Sequence, residues 1–207
     1  MTKINKALTF LIPLLLLGNS VLAAEGSWIQ EAYKKSFHYE QAENYNAAIT
    51  SLLPVVRAYP KGYAANLRLG WLYYKIARYA NSIAHYEAAI KTVPTAIGAK
   101  VGKLLPLLAQ ERYSEVEQTA YQVLNTDYYN YLSNLRLSIA LRKQNKTDLA
   151  LEIINKMLYL YPTDVSFLVE LAQVYAQTGE EKKAIAVFQN VLILAPENVM
   201  AKNYLDN

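Results

Sequence analysis

Enzyme chemistry most often starts from cysteine, histidine or convergent carboxylates, and this chain is poor in all three. It has no cysteine in 207 residues, which removes disulfides, thiolate metal sites and cysteine nucleophiles. Its two histidines, His38 and His85, are too few for a histidine-based metal centre or a Ser-His-Asp relay. Each lies in a helical run beside tyrosines and reads as a packed or surface residue. Gly98 and Gly102 lie inside a helical run and lack the Lys-Ser or Lys-Thr ending of a phosphate loop. Glu111, Glu115 and Glu117 cluster around one helical turn and read as a solvated face, and no His-Glu-x-x-His pair exists. Asn145-Lys146-Thr147 fits the glycosylation pattern but reads as a turn. No catalytic residue, metal or cofactor is therefore expected, and the chain is read as a non-enzyme.

The elements that remain must be built from apolar and aromatic residues. Apolar residues make up 53% of the chain and charged residues 18%, which excludes a disordered tail or a collagen-like chain. Tyrosine stands out at 18 residues. At the start, Lys3 and Lys6 precede an apolar run from Ala7 to Leu17, then Gly18-Asn19-Ser20 and the small-residue site Val21-Leu22-Ala23. This is the pattern of a secretory signal peptide, residues 1–23, with cleavage expected after Ala23. The run would span about 16 Å as a helix against roughly 30 Å of hydrocarbon, so a retained spanning helix is the weaker alternative. The sequence therefore implies export, most simply to a bacterial periplasm, with membrane contact only through the leader. Without Lys3 and Lys6 the chain carries 19 basic and 17 acidic residues, a balance that argues against nucleic-acid binding by bulk charge.

A period of 34 residues organises the rest. Pro60, Pro94, Pro162 and Pro196 fall on one grid, with Tyr128 in the remaining slot. Counting back gives five units, 29–62, 63–96, 97–130, 131–164 and 165–198, and a partial sixth, 199–207. Place eight of the units holds Ser36, Gly70, Leu104, Ser138 and Ala172, mostly small. Place twenty holds Ala48, Ser82, Val116, Ala150 and Ala184. Each unit contains two amphipathic runs of about a dozen residues. In the last, Leu168, Leu171, Ala172 and Tyr175 share one face, and Ala184, Ile185, Phe188, Val191 and Leu192 another. Thr178-Gly179 breaks the chain between them and Pro196 ends the second. Ser27 is placed to cap the first helix, with Trp28 and Ile29 at its start.

These columns resemble the tetratricopeptide repeat family over 29–198. The likeness is clearest in Leu171-Ala172, Tyr175, Gly179, Ala184, Phe188 and Pro196, and in Leu69-Gly70, Tyr73, Tyr79, Tyr86, Ala89 and Pro94. The family tryptophan at place four is replaced by Ala32, Asn66, Lys100, Asn134 and Leu168. The resemblance implies an all-α fold, a right-handed α-solenoid of helix-turn-helix repeats, closed here by a short C-terminal capping helix. That cap either suffices or leaves an apolar edge for docking. Tyr128-Tyr129-Asn130-Tyr131 either staples adjacent helices or forms an exposed aromatic patch. Pro106 should kink the first helix of unit three. Gly98 and Gly102, at places two and six, either let a ligand backbone approach or reflect repeat decay.

The resemblance further implies that first helices line a concave groove. By register the candidate partner-binding residues are Tyr33, Phe37, Trp71, Tyr74, Leu105, Leu108 and Ile139, an apolar stripe at i, i+4 and i+7. Lys34, Arg68, Lys75, Arg136, Arg142 and Lys143 supply basic residues beside it, with Glu40 and Glu170 as the chief acids. Trp71 is the central anchor, placed between Phe37 and Leu105. This pattern suits an amphipathic or extended protein segment with acidic flanks; the alternative is that neighbouring helices fill the groove themselves. The family's clamp for chaperone tails needs asparagine at place nine and is rejected, because Phe37, Trp71, Leu105, Ile139 and Gln173 stand there. The functional reading is an exported interaction scaffold, with a self-assembling subunit that uses its open ends as the alternative.

Overall fold

The computed structural model describes residues 13–206, with side chains from residue 26 onward. Lys3, Lys6 and the start of the apolar run lie outside the described residues. Among the described residues the chain forms eleven helices and no strand, and none of them is long and apolar enough to cross a membrane. The chain divides into two compact units, Met1–Pro60 and Lys61–Asn207.

The first unit pairs α1 (Pro13–Gln41) with α2 (Tyr45–Ala58). Ser27 lies inside α1 and does not cap it, contrary to the sequence expectation. Leu, Ala and Glu between Leu14 and Glu25 are strong helix formers, so the helix extends upstream of Ser27. Asn44 caps α2 by accepting the Ala47 N–H at 3.1 Å. Ser36, Ala48, Leu52 and Val55 close the interior of this hairpin, and Trp28 stacks on Tyr59 with centroids 6.4 Å apart.

The second unit holds four helical hairpins and a last short helix. They are α3 (Tyr63–Lys75) with α4 (Tyr79–Thr92), α5 (Ile97–Ala109) with α6 (Tyr113–Leu124), α7 (Tyr131–Lys143) with α8 (Thr147–Leu160), α9 (Val165–Gln177) with α10 (Glu181–Leu194), and α11 (Val199–Leu205). The first helices begin 34 residues apart, at Tyr63, Ile97, Tyr131 and Val165.

One residue of each hairpin turn takes a left-handed backbone: Glu43, Ala77, Glu111, Asn145 and Gly179, with φ of 56°, 57°, 56°, 59° and 78°. The next N–H reaches five residues back, as in Arg78 to the Tyr73 carbonyl at 2.9 Å and Glu180 to the Tyr175 carbonyl at 2.8 Å. This closure satisfies carbonyls that the helix end leaves open, and it favours glycine at the left-handed residue. Four of the five turns lack that glycine. Ala77→Gly and Glu111→Gly should each stabilise the protein by about 1 kcal/mol, by relieving the Cβ clash at positive φ. Chemical denaturation reads the change, and an unchanged or lower midpoint would contradict the turn geometry.

The two helices of a hairpin cross at places eight and twenty. Ser82 Oγ donates to the Gly70 carbonyl at 2.6 Å, and a Cβ on Gly70 would lie 2.8 Å from three ring carbons of Tyr86. Gly70→Leu should therefore lower the melting temperature more than Gly179→Ala does. The first overpacks a sealed crossing at about 1–3 kcal/mol, whereas a Cβ on Gly179 meets no atom within 4 Å and costs only backbone strain. Equal melting temperatures would contradict the crossing.

Two of the family's missing tryptophans have a structural substitute. Asn66 and Asn134 are buried and return their amides to the carbonyls of Gly62 and Asn130 at 2.9 Å, closing the first turns of α3 and α7. At the C-terminal end, α11 is capped by Asn198, buries Ala201 and lays Tyr204 on Phe188 at 4.7 Å, while Val199 and Met200 stay exposed.

Candidate partner-binding groove

In the second unit α3, α5, α7 and α9 pack each against the next, bringing their place-five, nine and twelve residues into one surface. Trp71 is half-buried, with Tyr74 one turn on at 5.8 Å between ring centroids and Lys75 Nζ 5.4 Å from its ring. Tyr74 in turn meets Tyr79 at 6.0 Å. Leu105, Leu108 and Ile139 are likewise half-buried, and Leu108 also packs on the core. The apolar stripe of these helices is thus covered only in part. In the first unit Tyr33 is half-buried, while Phe37 and Lys34 are exposed.

The basic residues divide into two sets. Lys75 and Lys143 are exposed and Arg68 is half-buried. Arg136 and Arg142 do not stand at a rim: both are buried. Arg142 donates through Nε and Nη2 to Glu170 at 2.8 and 3.2 Å, so the chief acid expected in this region is consumed by an internal pair. Gln173 adds a hydrogen bond to the same carboxylate at 3.3 Å.

Arg136 runs across α5, where its Nη1 donates to the Val101 carbonyl at 2.6 Å. Burial depresses its pKa, with Tyr74 and Tyr86 opposing. Burial also pushes the Tyr86 phenol up to about 12, against the pull of the Arg136 charge. Gly102 makes room here. Pro106 leaves the Gly102 carbonyl without its helical donor, but the carbonyl that Arg136 takes is that of Val101, one residue earlier. A Cβ on Gly102 would lie 2.4 Å from the Tyr86 ring. Gly102 therefore admits Tyr86 rather than a ligand backbone, and a Cβ on Gly98 would approach the Tyr63 hydroxyl at 3.3 Å.

The remaining candidates for chemistry are occupied structurally. His85 Nδ1 lies 2.9 Å from Asn66 Oδ1 and its ring stacks on Tyr73 at 5.2 Å, with burial lowering its pKa. Glu117 takes Lys146 at 2.7 Å, and Arg112 pairs with Glu115 at 2.6 Å. Tyr131 staples α7 to α9 through Phe167 and Asp164, while Tyr128 and Tyr129 are exposed. Among the described residues no group of three metal-ligating side chains could hold an ion. What this surface offers is apolar contact, aromatic faces and two exposed lysines. Sequence reasoning missed the role of Tyr86. Its signal was a large residue at place 24 with glycine at place eight of its own unit, Gly70, and at place six of the next, Gly102.

A stack of helical hairpins with mostly small residues at the crossings is the architecture of an α-solenoid repeat scaffold. The model for the tetratricopeptide repeat matches residues 38–97 and 135–199, and the chain belongs to that family. Members of this class are non-enzymatic scaffolds for protein interaction. Solved structures share the fold. MamA from residue 41 to its end, of Desulfovibrio magneticus RS-1, superposes with a TM-score of 0.76 at 15% identity, covering 83% of this chain and 97% of that one. MamA AMB-1 gives 0.65 at 20% identity, over 81% and 98%. TTC0263, a thermophilic TPR protein of Thermus thermophilus, gives 0.65 at 16% identity, over 86% and 97%. At these identities the likeness is one of fold. No curated protein matches the chain in sequence.

Proposed function

We propose that the protein is an exported scaffold that holds a segment of a partner protein against the first helices of its second unit. The observation that carries this reading is the half-burial of Trp71, Tyr74, Leu105, Leu108 and Ile139, on three successive first helices, α3, α5 and α7, each packed against the next. Apolar surface left partly in water between packed helices is where an apolar segment gains most from docking. With Arg136 and Arg142 turned inward, Lys75 and Lys143 are the cations left exposed for acidic flanks of that segment. Envelope assembly or secretion is the setting that export would give such a scaffold.

A photo-crosslinking amino acid in place of Ile139, in intact cells, should yield an adduct heavier than the chain. The same group in place of exposed Asn155 on α8 should yield little. Equal labelling at both sites would contradict a groove-bound partner. Export is read separately, from the intact mass of the protein in an envelope fraction. A chain starting at Ala24 is the expected result, and one that keeps residues 1–23 in the membrane pellet contradicts it.

A further inference from the structure

At the end of each second helix, one place in the register holds Arg57, Lys91, Asn125, Tyr159 and Ile193, and the following place Ala58, Thr92, Thr126, Leu160 and Leu194. The leading place is exposed in all five hairpins, four of which have another hairpin after them. Solvent exposure is thus a property of this place in the fold, and the fold makes no demand for an apolar side chain there. The first three hairpins obey that logic with polar residues. The last two break it: Tyr159 is 88% exposed and Ile193 77%, beside exposed Leu160 and Leu194. Contiguous exposed apolar residues mark interaction surfaces more often than isolated ones do.

The strip carries two complementary features. Tyr159 is a projecting aromatic knob. Beside Ile193 and Leu194 lies a hollow of about 250 Å³, walled also by Pro162 and Leu168. No charged residue occurs between Met157 and Thr163 or between Phe188 and Pro196. A surface without charge can face its own copy across a twofold axis without like-charge repulsion. It also lacks the cations that draw a protein to anionic lipid and the anions that would draw a basic partner.

We propose that the outer edge formed by the ends of α8 and α10 is a homodimer interface, with Tyr159 of one copy seated in the hollow beside Ile193 and Leu194 of the other. This interface is separate from the groove and does not rest on the function proposed for it.

Sedimentation of the purified protein over a concentration series tests the interface. The protein should pass from monomer to dimer as concentration rises. Tyr159→Glu with Ile193→Glu should weaken the dimer by roughly 100-fold or more, since truncated or charged anchors dominate the loss at such contacts. Both side chains are mostly in solvent in the single chain, so helix content should not change. The gentler Tyr159→Ser with Ile193→Ser provides a second reading should the charged pair misfold. Lys91→Glu, at the same place of the second hairpin, should leave the dimer intact. A protein that stays monomeric at every concentration overturns the proposal. So does a dimer that both double variants leave unweakened, or a monomer that binds phosphatidylcholine vesicles through Tyr159 and Ile193.

Discussion

Tyr86→Ala should cost about 3–5 kcal/mol of folding stability, the range for deleting a large aromatic from a sealed core. Its ring is 2% exposed and fills the space that two glycines leave open, Gly70 in its own hairpin and Gly102 in the next. The two glycines and the tyrosine form one packing unit, so their substitutions should not add. Gly102→Ala alone drives a Cβ into the ring at 2.4 Å and forces a shift. In the Tyr86→Ala background the same methyl enters a cavity and should cost less or even stabilise. A double-mutant cycle by chemical denaturation reads the difference. Strict additivity would mean that Tyr86 is not what the glycines accommodate.

Glu170→Ala should be of similar size, about 3–5 kcal/mol, because it strands the Arg142 guanidinium in the interior. The pair is bidentate and its side chains are 9% and 7% exposed, so little solvent screening softens the loss. Replacing both partners by apolar residues of similar volume, Arg142→Met with Glu170→Leu, should recover most of that stability, since no buried charge remains. A double variant no more stable than Glu170→Ala would contradict a simple buried pair. Thermal melts monitored by circular dichroism suffice for the three chains.

The repeat architecture was legible because it is periodic. Small residues at places eight and twenty, and proline at the hairpin ends, recur every 34 residues in all units but the third, and each has a direct packing or backbone cause. The left-handed turn residues were not legible, because Glu43, Ala77, Glu111 and Asn145 carry no glycine signal and the strain is set by closure of the helix end. The start of α1 was misread for a related reason: a serine before an aromatic looks like a cap until the helix-forming residues upstream are counted. At the groove, register placed the apolar stripe but not the direction taken by long cations. Arg136 and Arg142 reach inward because Val101 offers a backbone carbonyl and Glu170 a buried carboxylate, both contributed by other helices. Pairing across repeats has no signature within one.

Trp71→Ala puts the groove to its most direct test, with one variant read two ways. A ligand anchor truncated to alanine should reduce adduct formation from the Ile139 position by roughly 30-fold while the protein melts almost as before. A core residue should instead lose about 3–5 kcal/mol of stability. Retained melting temperature with lost crosslinking is the outcome required by a partner held at Trp71; a badly destabilised variant, or one that crosslinks as well as the parent, would contradict it.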